Sequence, residues 1–178
     1  EMLEREKLDE VYFCPTNISP HKQDSTSTAS RHRLAMLKLA IESIPSFSIL
    51  EIELERPPPS FTIDTIELLH KDPKYADNHY KIILSDESIE YFHLWHRAHD
   101  LVKIIPFLIG SRYPKEQHQN IQKDPLFSEK LKKSFRTTRI LEISSSNIRE
   151  RLGEKLFCEQ LLPYKVLDYI YQNRLYFM

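Results

Sequence analysis

The sequence predicts an α/β protein built on a mostly parallel sheet, and three observations carry that prediction. Helical and strand-like segments alternate from end to end, the pattern of a sheet covered by helices. Residues 80–84 and 103–109 are continuous apolar runs, as expected of central strands buried on both faces. The 178 residues, 40% hydrophobic and 29% charged, match the size and composition of an ordinary globular domain. Without an internal repeat or a linker, residues 1–178 read as one domain.

Taken in order, residues 1–8 (EMLEREKL) read as the second half of a helix, so the chain reads as a fragment. Residues 10–14 (EVYFC) are a short β-branched and aromatic run stopped by Pro15, and a polar loop follows. Residues 31–43 place Leu34, Leu37, Ala40 and Ile41 at helical spacing until Pro45. Residues 47–54 alternate as a strand, ended by Pro57-Pro58-Pro59. An amphipathic helix is predicted over 62–70, with Ile63, Ile66 and Leu69 on one side. A helical stretch over 89–101 separates the two apolar runs. Residues 113–139 are polar and basic and read as a long loop with a short helix. A last strand over 139–143, a short helix over 145–152 and a closing helix over 163–173, with proline at its first position, complete the prediction.

Composition excludes several functions. Net charge is −1, from 25 basic and 26 acidic residues, so no global field draws nucleic acid or an anionic membrane. The longest apolar run, 104–109, contains a proline and falls far short of the ~20 residues that cross a bilayer. Residues 1–10 lack the apolar centre of a signal peptide, and cytoplasm is the expected compartment. Cys14 and Cys158 lack metal-ligand spacing and read as buried thiols. With only Gly110 and Gly153, neither a GxGxxG fingerprint nor a GxxxxGK[ST] phosphate loop is present.

The most informative stretch is Ile143-Ser144-Ser145-Ser146-Asn147-Ile148-Arg149. It puts three hydroxyls at a strand-to-helix junction, where unpaired backbone N–H groups and a partial positive charge make an anion site. Plain N-capping by serine is the competing reading. Arg149 favours the anion, because the dipole repels a first-turn cation by roughly 0.3–1 kcal/mol; Glu150 is its other available partner. Pro20-His21-Lys22 follows the first strand, where open α/β sheets bind ligands, although a solvated lysine is the commoner case. Ser60-Phe61-Thr62 opens a helix after the rigid triple proline and can hold a carboxylate there, or simply cap it. Trp95, the sole tryptophan, can stack on a planar ring or pack in the core. His93, His96 and His99 recur every three residues but lack a thiolate, so no metal site is assigned. Lys130, Lys132, Lys133, Arg136 and Arg139 form a basic stretch, either solvated or in contact with phosphates.

In series, these segments resemble the bacterial nicotinate mononucleotide adenylyltransferase family of the nucleotidylyltransferase superfamily. VYFCPTNISPHK (11–22) resembles its strand and PxxxPHK loop, and RLAMLKLAI (33–41) its R-x-x-ML helix. ELERPPPSFTIDTIELL (53–69) resembles its ElxRxgpSYTidTl segment, ISSSNIRERL its ISSTxIR, and LLPYKVLDYIYQNRLY its C-terminal helix. Ser85-Asp86-Glu87-Ser88 stands where the family has GxDS, with Ser85 for the glycine and Glu87, or Asp86 after a one-residue shift, for the aspartate. Pro58 replaces a usual glycine, Phe61 a tyrosine and Ser146 a threonine. The family's GGxFDPxHxGH motif, whose histidines contact ATP phosphates, has no counterpart here, so no catalytic residue is assigned.

The resemblance implies a Rossmann-like, doubly wound nucleotidylyltransferase fold lacking its first strand. It also implies adenylyl transfer from ATP to nicotinate mononucleotide, with Mg²⁺ bridging the phosphates. On that reading His21, Lys22, Ser144, Ser145, Ser146 and Arg149 hold ATP phosphates. Ser60, Phe61 and Thr62 take the nicotinate carboxylate, Ser85, Asp86 and Glu87 the ribose, Trp95 the ring and Arg112 the mononucleotide. Partners are these two nucleotides, with no nucleic acid and no membrane, and a homo-oligomer is compatible with the sequence. Two alternatives stay open: a non-catalytic nucleotide-binding remnant, and a sister enzyme acting on nicotinamide mononucleotide or pantetheine phosphate.

Overall fold

Every strand pair among the described residues is parallel, as the alternating pattern requires. The computed structural model describes residues 1–17, 28–111, 124–139 and 141–177. The elements are α1 (Met2–Arg5), β1 (Val11–Phe13), α2 (Ser30–Ile41), β2 (Phe47–Ile49), α3 (Thr62–Lys71), β3 (Ile82–Ser85), α4 (Asp86–Glu90), α5 (Ala98–Ile104), β4 (Phe107–Ser111), α6 (Pro125–Leu131), β5 (Phe135–Thr137), α7 (Ser145–Gly153) and α8 (Tyr164–Gln172). Single 3₁₀ turns occupy Glu51–Glu53 and Phe92–Leu94.

The chain divides into two compact units. The first comprises Glu1–Leu8 and Pro59–Ile140. It carries the sheet β3-β4-β5, in which Ile82 lies opposite Phe107, Ser85 opposite Gly110, and Ser111 opposite Thr137. This register brings the carboxyl ends of the three strands level, the end at which open α/β sheets bind ligands. Phe107, Leu108 and Ile109 of central β4 are buried, with Ile63, Ile66 and Leu69 of α3, Leu101 and Val102 of α5, and Phe127 and Leu131 of α6. Each such side chain removed from water contributes roughly 1.5–3 kcal/mol. The N-terminal peptide is tied to β5: Arg136 forks onto both Glu6 carboxylate oxygens at 2.5 and 3.1 Å, and Arg5 donates to the Thr137 carbonyl at 2.6 Å. Its Arg136 partner holds the Glu6 carboxyl below its ordinary pKa.

The second unit comprises Asp9–Pro58 and Leu141–Met178 and carries the sheet β1-β2, with Val11 opposite Phe47. Its core joins Ile148 and Leu152 of α7 with Cys158 and with Val166, Leu167 and Ile170 of α8, against Met36, Leu39 and Ala40 of α2. His32 Nδ1 lies 2.9 Å from the Tyr169 hydroxyl, and Lys165 pairs with Glu42, so α2 and α8 are joined by polar contacts as well as apolar ones.

Five sequence expectations are corrected. The strand over 47–54 stops at Ile49, because the chain turns through the 3₁₀ segment with Glu53 buried. Residues 80–84 are not buried on both faces: β3 edges its sheet and Ile83 is 40% exposed. The stretch 89–101 is not one helix: α4 ends at Glu90, the 3₁₀ turn gives way to an extended Trp95, and Arg97, with φ 51°, is the N-cap from which α5 starts. The strand expected over 103–109 begins at Phe107, while Lys103 and Ile104 finish α5 and Pro106, lacking an N–H, stands before the ladder. The last strand is β5 at Phe135–Thr137, where Phe135 meets Ile109, and no strand occurs among the described residues of 139–143. Cys158 is buried as expected, and Cys14 is half-buried.

Candidate active site

In the first unit, sequence-distant segments meet at the head of α3. Phe61 is the N-cap of that helix, its backbone extended and with no side-chain cap, so first-turn N–H groups are left for another acceptor. Ser60 is 7% exposed, and its Oγ has no hydrogen-bond partner among the described residues. Against Phe61 lies His96, with ring centroids 4.3 Å apart at 32°. Thus the 60–62 segment and the residue next to Trp95 are brought together.

Trp95 is half-buried and seated by an aromatic cluster. Phe92, with no exposed surface, lies 5.3 Å from each of Trp95, Phe107 and Phe127. The pairs of Phe92 with Phe107 and Phe127 are edge-on and that with Trp95 is tilted, and such pairs fix orientation as well as bury area. The indole meets the buried Phe92 ring at 49° and remains partly exposed. Arg97 follows with its left-handed backbone and ion pairs to Glu67 (2.9 Å) and Asp100 (3.1 Å).

Ser85 closes β3 and caps α4 by accepting from the Ser88 amide at 3.3 Å; its hydroxyl also meets Ser88 Oγ at 3.2 Å. Glu87 is exposed one residue into the helix. The side chain of Asp86 and all of Arg112 lie outside the described residues.

In the second unit, Ser144 is the N-cap of α7, and its side chain makes no cap hydrogen bond. The first turn contains no acidic residue. Plain serine capping, the competing reading of this stretch, is therefore not what the geometry shows. Arg149 is exposed and donates to Ser146 Oγ at 3.1 Å rather than pairing with Glu150. Ser144, Ser145 and Ser146 are all exposed, leaving hydroxyls, amide groups and a guanidinium available to an anion. His21 and Lys22 lie outside the described residues.

Two features escaped the sequence reading. Arg33 donates to the carbonyls of Thr16 (2.6 Å), Asn17 (2.8 Å) and Thr28 (3.1 Å), a fork that only guanidinium geometry supplies. The signal was its place in the R-x-x-ML helix, which gave its location but not its partners. His96, a member of the histidine series, is exposed yet lies against Phe61. The series gives no hint of Phe61, which is 35 positions away. Of the basic stretch, Arg136 is committed to Glu6 rather than to phosphate.

Residues 1–151 match the family model described as cytidylyltransferase-like. The chain is 38% identical to the nicotinate-nucleotide adenylyltransferase of Bacillus subtilis (strain 168) over 176 residues, 99% of this chain and 87% of that protein. It is 34% identical to the probable nicotinate-nucleotide adenylyltransferase of Oceanobacillus iheyensis, over 99% of this chain and 85% of that one. Among solved structures, the Plasmodium falciparum nicotinic acid mononucleotide adenylyltransferase complexed with NaAD has the same fold, with TM-score 0.70 at 19% identity, covering 95% of this chain and 83% of that chain. The parallel α/β architecture and the sequence relationship agree, and the chain belongs to the cytidylyltransferase-like family, among the nicotinate-nucleotide adenylyltransferases.

Proposed function

We propose that this protein transfers the adenylyl group of ATP to nicotinate mononucleotide, a step of NAD biosynthesis, and that residues 1–178 serve as one nucleotidylyltransferase domain acting in the cytoplasm. No helix among the described residues is long and apolar enough to cross a membrane. A 5′-phosphate oxygen of the mononucleotide bonds to the α-phosphorus of ATP as the bond from that phosphorus to the pyrophosphate oxygen breaks. The products are nicotinate adenine dinucleotide and pyrophosphate. Such a transfer needs positioning and charge stabilisation and no covalent intermediate on the protein.

The observation that supports this reading most directly is the meeting of His96, next to half-buried Trp95, with Phe61 at an uncapped helix start. An aromatic face beside free N–H donors suits a planar ring that bears a carboxylate. We assign Ser60, Phe61 and Thr62 to that carboxylate, Trp95 to the ring, Ser85, Asp86 and Glu87 to the ribose, and Arg112 to the mononucleotide. Ser144, Ser145, Ser146 and Arg149, with His21 and Lys22, take the ATP phosphates. Among the described residues no cluster of three or more His, Cys, Asp or Glu side chains is arranged to cage a metal. Mg²⁺ would be held by phosphate oxygens and water and would neutralise charge on the leaving pyrophosphate.

The test is pyrophosphate release from ATP with nicotinate mononucleotide, nicotinamide mononucleotide or pantetheine phosphate as acceptor. Nicotinate mononucleotide is expected to give the highest kcat/KM. Preference for another acceptor would reassign the substrate, and no release with any of them would make the protein a non-catalytic nucleotide binder.

A further inference from the structure

The first turn of α2 carries Arg33 and no acidic residue. A cation there is repelled by the helix dipole, so its place needs a compensating contact. Among the described residues that contact is made by carbonyls alone. The half-buried guanidinium donates through Nη2 to Thr16 at 2.6 Å and to Asn17 at 2.8 Å, and through Nε to Thr28 at 3.1 Å.

The three carbonyls come from two places in the chain. Thr16 and Asn17 follow the carboxyl end of β1, the end at which open α/β sheets bind ligands, and Thr28 immediately precedes the cap of α2. One planar fork thus fastens both ends of the connection between β1 and α2, to which His21 and Lys22 belong in sequence. Farther along the same helix, Met36, Leu39 and Ala40 pack against the apolar cluster that contains Ile148 and Leu152 of α7. That helix is the one headed by Ser144, Ser145 and Ser146. α2 is therefore tied to both groups of residues assigned to ATP, to one through the carbonyls at its start and to the other through apolar packing.

We propose that Arg33 is a positioning residue for ATP: by fixing Asn17 against Thr28 it holds both ends of the β1–α2 connection in one arrangement, so that ATP need not order them on binding. This rests on the assignment of His21 and Lys22 to ATP made above. When the arrangement competent to bind is only partly populated, affinity falls by that fraction, and fixing the arrangement removes the loss. No residue assigned to the acceptor belongs to this connection, so the effect falls on ATP. A lysine keeps the charge but offers a single point on a flexible stem, which does not reproduce the fork.

Titration calorimetry with ATP alone gives a Kd without turnover, beside melting temperatures and the KM for each substrate. Arg33→Met keeps the stem and removes every donor. It is expected to weaken ATP about tenfold, the scale of hydrogen bonds made by a charged group, and to leave the KM for nicotinate mononucleotide close to its original value. Arg33→Lys is expected to keep most of that loss. Full ATP affinity in Arg33→Lys overturns the inference, and this variant decides alone if Arg33→Met does not fold. In a background of His21→Ala with Lys22→Ala, Arg33→Met is expected to cost far less, because the groups it positions are gone. An undiminished loss in that background overturns the inference, as does equal weakening of ATP and the mononucleotide in Arg33→Met. Absence of pyrophosphate release from the unaltered protein fails the functional reading separately, and ATP that does not bind the unaltered protein overturns both.

Discussion

Arg97 Nη2 lies 2.9 Å from Glu67 Oε1 while the Arg97 backbone turns through φ 51°. The ion pair and the unfavourable backbone occupy the same residue, so substitutions can separate them. Glycine adopts this conformation freely, whereas alanine carries the same steric cost as arginine with no charge partner to offset it. Arg97→Ala is expected to lower the melting temperature, and Arg97→Gly to lose less or nothing. Both should raise the KM for the mononucleotide several-fold relative to that for ATP, because the turn supporting Trp95 and His96 loosens. Thermal melts beside two-substrate kinetics check this, and equal melting of the two variants would contradict it.

Trp95 gives a sharper split between the substrates. Its indole rests on Phe92 at 5.3 Å and is half exposed, so truncation removes little of the core and most of the ring platform. Trp95→Ala is expected to raise the KM for nicotinate mononucleotide by about tenfold, the upper end of a stacking contribution, and to leave the KM for ATP close to its original value. Equal effects on both would remove Trp95 from the acceptor site.

Ser60 makes stability and binding move in opposite directions. A buried hydroxyl without a partner costs about 1–3 kcal/mol, so removing it should not destabilise the fold. Ser60→Ala is expected to leave the protein as stable as before or up to about 1 kcal/mol more stable, while binding of the acid mononucleotide weakens. Chemical denaturation and ligand titration on one sample decide it. Loss of stability would mean that the hydroxyl has a partner.

How much of this was legible depended on whether the forces involved were local. The closing helix was readable because Val166, Leu167 and Ile170 recur at helical spacing and all three are buried. The start of α3 was readable because Pro57-Pro58-Pro59 stops the chain before Thr62. The final strand was misplaced because residues 139–143 are as apolar as 135–137, and pairing of Phe135 with Ile109 decides between them. The break at Arg97 was invisible for a related reason. Nothing in the residue type favours a left-handed backbone, and Glu67, thirty positions earlier, helps to hold it there. Acceptor-side residues were assigned by resemblance alone, whereas the Phe61–His96 contact required the fold.

Cys14 is predicted to be slow to react for an electrostatic reason. Burial, and then the nearby Glu53 carboxylate, push its pKa from 9.0 up to about 12. At pH 8 roughly one molecule in ten thousand carries the thiolate, against roughly one in ten for an ordinary thiol. Alkylation by iodoacetamide is expected to be very slow in the folded protein and to rise about tenfold per pH unit between pH 8 and 10 without levelling. Glu53→Gln should speed it. A plateau below pH 10 would show that the thiol is more acidic than its surroundings allow.

Asp124 gives the first unit a local pH dependence. Its carboxylate accepts from His99 Nε2 at 2.7 Å and caps α6 through the amides of Leu126 (2.9 Å) and Phe127 (3.2 Å). These contacts, His99 first, hold its pKa below the ordinary 3.8. A carboxyl whose pKa is lowered by folding contributes stability that is complete above the unfolded value and lost as pH falls through the folded one. The cap should therefore persist at pH 3.8 and fail only below it. Amide exchange of Leu126 and Phe127 reads this directly. His99→Phe keeps a ring against Phe127, on which His99 now stacks at 4.7 Å, yet removes the largest cause of the shift. Its loss of protection is expected to move up toward pH 3.8, and an unmoved transition would mean that the backbone amides alone depress the pKa.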